Sequence, residues 1–357
     1  MKPFLGLFAQ WDVIVRQEPP KAIRNFFRDK SDSEHFISQK LHHQISSALL
    51  NPRRSIGGNA GNAAAALSDL GIPCVLSCPS RAKPFMSELA KHKIFLMRKG
   101  IETSPLKCAR PDEDPEHVIF EMVSRKEADK SGFNRSYRKI FNYDEVQRNF
   151  LLDHEFWNSL KNANYLFLSG FHCVPEKRKE KVKEIADFLE KRAFKVHMEL
   201  GYGEGLMKFA VKKLLDRSCI DSLGMNETEL KTLGISGKSP LETKEGMLSF
   251  LEKAGLERMH FHTRDYRLSV FRKNPERNLK AAGFSVQACA AKALGGIREN
   301  LEKAKSVPHS WIPASKGKNF FIIPARIAEN PKIIVGLGDA AAVTDSFFAL
   351  KGQRQGF

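Results

Sequence analysis

Short apolar runs alternate with longer amphipathic stretches along most of this chain. The runs predict strands at Phe4–Val15, which carries Asp12 near its end, and at Pro73–Ser77, Tyr165–Leu168, Lys195–Glu199, Ser222–Met225, Arg258–His262 and Lys332–Val335. Between them, a helical period marks residues 179–192, 206–217 and 241–254. From Ile56 to Leu67 a glycine turn runs into an alanine-rich helix, whose small side chains allow close approach to a neighbour. Strand and helix in alternation imply a mostly parallel sheet covered on both faces. Ligands of such sheets sit at the carboxyl ends of the strands, so residues just after strands carry the most information. Two stretches depart from the pattern. Residues 20–50 are polar and partly helical. Residues 109–145 set Val118-Ile119-Phe120 among charges, bounded by prolines and glycine, which predicts short strands outside the main core. Residues 351–357 read as a frayed end.

Composition narrows the class. With 357 residues, 42% hydrophobic and 28% charged, the chain can bury a large core and is not a disordered polymer. Its length suits one large α/β domain with a smaller appendage, or two domains. There is no run of 18 apolar residues, and the apolar start is too short for a signal peptide and lacks a small-residue cleavage site. A cytoplasmic protein without a membrane partner is the expectation. Cys74, Cys78, Cys108, Cys173, Cys219 and Cys289 lack zinc-knuckle spacing and read as reduced core thiols. Lys plus Arg exceed Asp plus Glu by 58 to 41, a net charge of +17 that attracts anions such as nucleotides, phosphorylated metabolites or nucleic acid. Runs such as Glu176–Lys183 interleave acids with bases, as solvated helix faces do. No aromatic-rich basic module points to nucleic acid as the partner.

Three segments carry candidate chemistry. In Ile333-Ile334-Val335-Gly336-Leu337-Gly338-Asp339 an apolar run meets two glycines, an acid and then a helix. Backbone N–H groups there can line an anion site at a helix N-terminus, and Asp339 can take a proton from a hydroxyl. An ordinary turn with an Asp cap gives the same pattern. In Lys195-Val196-His197-Met198-Glu199, a strand ends on an acid that can hold magnesium or form a salt bridge. In Met225-Asn226-Glu227-Thr228-Glu229, Asn226 and Glu229 fit a capping box, or else a phosphate and metal site.

In order and placement these segments resemble the ADP-dependent sugar kinases of archaea, the glucokinases and phosphofructokinases within the ribokinase-like superfamily. His197-Met198-Glu199 matches that family's H-x-E motif, Asn226–Glu229 its N-x-x-E motif and Gly336–Asp339 its G-x-G-D motif. Ile56-Gly57-Gly58-Asn59-Ala60-Gly61 is similar to its substrate-side glycine segment. Smaller echoes lie at Leu168–Phe171, His262–Arg264 and Ile323–Arg326, so the likeness spans nearly the whole chain. The chain is shorter than is usual for the family. The stretch before Gly57, where glucose-specific members supply a Glu to the sugar, offers no evident equivalent.

The resemblance implies a ribokinase-like α/β/α sandwich with a mostly parallel sheet and a small β-rich lid. Residues 1–15, 51–108 and 146–357 would form the large catalytic domain, and 16–50 with 109–145 the lid. It implies phosphoryl transfer from ADP to a sugar hydroxyl, with Mg²⁺ or another divalent cation. Asp339 would be the base, and the N–H groups of Gly336, Leu337, Gly338 and Asp339 would cradle the phosphoryl group. Glu199 and Glu229 would hold the metal, with Asn226 near phosphate. Asp12 and Asn59 would bind sugar hydroxyls, with Gly57 and Gly58 allowing close approach. His117 and Arg135 are further substrate candidates, against readings as a structural strand residue and a solvated cation. Pro52-Arg53-Arg54 and the positive charge lean toward a phosphorylated sugar, hence a phosphofructokinase-like rather than glucokinase-like acceptor. Rival readings are a superfamily kinase using ATP or acting on a pentose phosphate or nucleoside, and a non-catalytic nucleic-acid-associated protein on the same scaffold.

Overall fold

The structure is a computed structural model describing residues 2–29, 31–128, 134–201 and 206–351; at 123–128 and 134–136 only the backbone is described. In chain order its strands are β1 (Pro3–Gly6), β2 (Gln10–Val15), β3 (Ser33–Phe36), β4 (Arg53–Gly57), β5 (Cys74–Leu76), β6 (Ile94–Arg98), β7 (Ile101–Thr103) and β8 (Glu116–Ala128). There follow β9 (Asn134–Asn142), β10 (Tyr165–Leu168), β11 (Lys195–Glu199), β12 (Ser222–Met225), β13 (Arg258–His262), β14 (Tyr266–Phe271), β15 (Ser315–Lys316) and β16 (Phe320–Pro324).

Eleven strands form one sheet in the order β15-β16-β14-β13-β12-β11-β10-β1-β5-β6-β7. From β13 through β6 every neighbouring pair is parallel, and the antiparallel strands lie toward the two edges. Successive residues of β10 enter opposite cores: Leu166 and Leu168 pack with the 179–189, 206–216 and 240–254 helices, Tyr165 and Phe167 with the 59–69 and 337–350 helices. Burial on both faces is why these strands read as continuous apolar runs. The four strand candidates from Tyr165 to His262 coincide with β10 to β13.

A second sheet of five strands runs β3-β9-β8-β2-β4. The chain enters it immediately after β1, through Leu7–Ala9, and returns from β4 through Gly57-Gly58 into the Asn59–Asp69 helix. This corrects three expectations. Phe4–Val15 is not one strand but two, in different sheets. Gln10–Val15 and Arg53–Gly57, expected in the large unit, pair in the smaller sheet. Residues 116–128 and 134–142 form two long strands, β8 and β9, because their charged residues are those of a partly solvated sheet.

The expected strand at Lys332–Val335 is also absent. Ile333–Val335 instead crosses as an irregular link, with the Lys332 and Ile333 amides both donating to the Ala293 carbonyl at 2.7 and 3.3 Å.

Candidate active site

A cavity of about 610 Å³ lies between the two sheets, at the carboxyl ends of the large-sheet strands. Asp12, Gly58, Asn59, His117, Glu199, Asn226, Glu229 and Gly336–Asp339 all line it. Gly57 stands behind the wall, where a Cβ would lie 1.9 Å from an Asp12 carboxylate oxygen. The side chain of Arg135 lies outside the described residues.

Asp339 occupies the first turn of the Leu337–Leu350 helix, capped by Gly336 at φ 69°. Any larger residue at 336 meets the left-handed backbone penalty and also Asn62 Oδ1, 2.4 Å from an added Cβ. Asn59 donates to Asp339 Oδ1 at 2.8 Å. Lys292 donates to the Gly336 carbonyl at 2.9 Å, placing an ammonium group beneath the turn. Burial pushes Asp339 up to about 7; nearby Lys292 restrains the rise and Glu199 adds to it. A carboxylate near neutrality, held at a helix N-terminus among inward N–H groups, can accept a hydroxyl proton and stabilise charge on an adjacent phosphoryl oxygen.

Glu199 ends β11 and projects over β12, whose register places Gly224 beside it and His260 of β13 beyond. A Cβ on Gly224 would lie 1.8 Å from Glu199 Oε2. That oxygen receives His197 Nε2 at 3.0 Å and His260 Nε2 at 3.1 Å, while His262 Nδ1 is 3.6 Å from Oε1. Burial alone would raise Glu199, but the imidazoles of His260 and His197 outweigh it and hold the carboxyl well below the usual range. On its other side His260 faces the fully buried Asp345 at 3.1 Å, and Asp345 accepts from Arg258 at 2.9 Å. The row Glu199, His260, Asp345, Arg258 alternates in sign, which is how charges persist in a core.

Glu229 closes a capping box on Asn226, accepting its amide at 2.9 Å and its side-chain nitrogen at 2.8 Å. The capping and functional readings of this segment therefore describe the same residues, because the box holds both side chains against the cavity. Burial, with Glu199 nearby, pushes Glu229 up to about 8. Two carboxylates in mutual repulsion beside an anion-lined cavity suit an oxygen-seeking divalent cation that keeps its waters. His197, Glu199 and His260 are also close enough to ligate a metal directly. In that trio His197 Nε2 and His260 Nε2 already engage Glu199 Oε2.

The small sheet supplies the opposite wall. Asp12 of β2 pairs in register with His117 of β8. Burial raises Asp12 to about 6, with His117 and Arg138 opposing the rise. His117 is bridged through Gln10 (3.0 Å) to Gln147 (3.0 Å). Glu34 of β3 also lines the cavity and accepts from Asn142 at 2.6 Å. It is a carboxylate before Gly57 for which the sequence offered no signal. Gly224, His260, Lys292 and His172 likewise emerge only in three dimensions. Arg53 and Arg54 line a separate cavity of about 540 Å³, and Arg54 pairs with Glu116 at 2.6 Å.

An open, mostly parallel sheet with a carboxylate at a helix N-terminus and a smaller sheet over the cavity is a ribokinase-like fold. The solved structures agree on the fold. An ADP-dependent kinase in complex with fructose-6-phosphate and ADPβS superposes with TM-score 0.79 at 20% identity, over 99% of this chain and 95% of that one. A phosphofructokinase from Pyrococcus horikoshii OT3 with AMP gives TM-score 0.72 at 17% identity, over 98% and 97%. Residues 20–347 match the conserved region of ADP-specific phosphofructokinase/glucokinase, and the chain belongs to that family. It is 26% identical to an ADP-dependent glucose/glucosamine kinase of Pyrococcus furiosus over 334 residues, 80% of this chain and 73% of the relative. It is 25% identical to the ADP-dependent glucokinase of Bos taurus, over 92% of this chain and 73% of the relative. The chain is thus an ADP-dependent phosphotransferase acting on a carbohydrate. No helix among the described residues is long and apolar enough to cross a membrane.

Proposed function

We propose that this kinase transfers the β-phosphoryl group of ADP to a hydroxyl of a neutral hexose, with Asp339 as the base. The observation that carries this reading is the convergence on one cavity of Asp339, the Glu199–Glu229 pair and the Asp12–His117–Glu34 wall. Asp339, steadied by Asn59, takes the proton of the attacking hydroxyl. The N–H groups at the start of the 337–350 helix hold the oxygens of the phosphoryl group in flight. Glu199 and Glu229 would hold a magnesium ion, with Asn226 near phosphate, and the ion would supply neutralisation of the diphosphate charge. Orientation of Glu199 falls to His197 and His260, which fix its Oε2.

For the acceptor, the small-sheet wall presents Asp12 and Glu34 with His117, Gln10 and Gln147. Carboxylates accept from sugar hydroxyls and repel a phosphate dianion. A sugar-phosphate reading rests on Arg138, which also lines the cavity, but Arg138 is already paired with Asp32 at 3.2 Å. The small sheet would act as a lid that excludes water from the phosphoryl acceptor site. The test is steady-state kinetics with ADP and magnesium across glucose, glucosamine, fructose and fructose-6-phosphate. A neutral hexose should give the highest kcat/KM; preference for the phosphorylated sugar would overturn the acceptor assignment. Absence of transfer from ADP to any sugar would overturn the whole reading.

A further inference from the structure

Beside Glu34 the cavity wall carries two residues that the phosphoryl-transfer scheme leaves unused, His172 and Cys173. They follow β10 in the Phe171–Cys173 turn. One donor atom from each of Glu34, His172 and Cys173 falls within 4.8 Å of the others. Cys173 Sγ lies 4.0 Å from Glu34 Oε2, while Oε1 is the oxygen occupied by Asn142. His172 Nδ1 is buried and has no hydrogen-bond partner among the described residues. Room for that nitrogen comes from Gly201, where a Cβ would lie 1.9 Å away.

From this convergence we infer a second metal site, specific for a thiophilic divalent ion such as Zn²⁺, formed by Glu34, His172 and Cys173 at the sugar end of the cavity. One thiolate, one imidazole and one carboxylate make a mixed set that zinc favours and magnesium does not. Zinc sits about 2.3 Å from sulfur and about 2.0–2.2 Å from carboxylate oxygen, so tetrahedral ligands lie roughly 3.5 Å apart. The observed 4.0 Å needs only a small side-chain rotation. Binding exchanges the S–H bond of Cys173 for a Zn–S bond and releases one proton to solvent. An ion here occupies the space assigned above to the acceptor, so zinc would inhibit by competing with the sugar. That consequence rests on the proposed acceptor placement; the binding itself does not.

The test uses full-length, reduced, metal-free enzyme. Added Co²⁺ should produce near-ultraviolet thiolate charge-transfer absorption, and Zn²⁺ should bleach it at one ion per chain. Cys173→Ser should abolish the band and weaken zinc binding by at least the order of 10-fold. His172→Gln should weaken binding similarly, and Cys289→Ser should keep the band. No band in the wild-type enzyme, or a band that survives Cys173→Ser, overturns the site. Zinc inhibition competitive with the sugar and not with ADP supports both the site and the acceptor placement. A Cys173-dependent band with zinc that does not compete with the sugar supports the site and overturns the acceptor placement alone.

Discussion

On the large-sheet side of the cavity, each site residue ends a strand or starts a helix. Glu199 closes β11, Asn226 follows β12, and Gly336 caps the helix that carries Asp339. On the small-sheet side, Asp12, His117 and Glu34 sit within strands and reach the cavity because alternate side chains of a sheet share a face. The electrostatics differ as well. The large-sheet wall separates its acids: imidazoles hold Glu199 low, while burial holds Glu229 and Asp339 near or above neutrality. The small-sheet wall surrounds Asp12 with neutral amides, an imidazole, one arginine and the Glu34 carboxylate. On the proposed function, the first wall would serve cations and a transferring phosphoryl group, and the second the hydroxyls of the acceptor.

The sharpest way to break this contrast is Asp339→Asn. Turnover should fall by on the order of 10²–10⁴-fold, the usual worth of a positioned base. Folding should not suffer. The folded pKa of about 7 lies above the ordinary 3.8, so native Asp339 keeps its proton longer than the unfolded chain does. That difference costs stability, increasingly as pH rises from about 4 to about 7, and the full cost remains above 7. The Asn variant escapes it, so at pH 8 its thermal midpoint should not lie below the wild type's. A variant that unfolds early, or that keeps near-normal rates, removes Asp339 from the role of base.

On the opposite wall the expected effects are smaller and selective. Glu34→Ala should raise KM for a neutral hexose by about 10–100-fold, the worth of one hydrogen bond to a charged group. It should leave activity on fructose-6-phosphate unchanged or improved. Arg138→Ala should affect only the phosphorylated sugar. If both variants affect both sugars alike, the two walls are not specialised as drawn.

Legibility in the sequence follows the same division. Strand-end motifs announce themselves because glycine, acid and helix start must be adjacent in the chain, and β10 to β13 were visible because both their faces are buried. Glu34 was not visible, since it sits in a polar stretch whose strand forms only by pairing with β9. His260 looked like any core residue until the register of β11, β12 and β13 set it across Gly224 from Glu199. Ile333–Val335 misled in the other direction: its apolar run has strand character, but the link serves as a wall between two cavities. Arg53 and Arg54 are close to Gly57 in sequence but line the second cavity rather than the one that Asp339 lines.

Gly224 and Gly338 separate packing from chemistry within the large-sheet wall. Gly224→Ala forces a Cβ to 1.8 Å from Glu199 Oε2 and should destabilise by about 1–3 kcal/mol, read as a lower denaturant midpoint. At Gly338 the nearest atom to an added Cβ, His262 Nε2, is 3.4 Å away. Gly338→Ala should therefore fold normally and lose rate only if phosphate oxygens approach the backbone there. Equal destabilisation by the two would mean that Gly338 is a packing residue.

The smallest effect concerns Asn59. As a base, Asp339 must be ionised, so kcat/KM should rise with pH through a limb near 7. Asn59 donates to Oδ1 and favours the ionised form. Asn59→Ala withdraws that donor, so the limb should move to higher pH, by up to about one unit for a single hydrogen bond to a charged group. Lys292→Met should move it further in the same direction, because the ammonium opposes the effect of burial more strongly than the amide does. Above the shifted limb, Asn59→Ala should keep any deficit in KM while recovering kcat, since loss of a sugar contact is not restored by ionising Asp339. A limb that stays at the wild-type pH in both variants would mean that the titrating group is not Asp339.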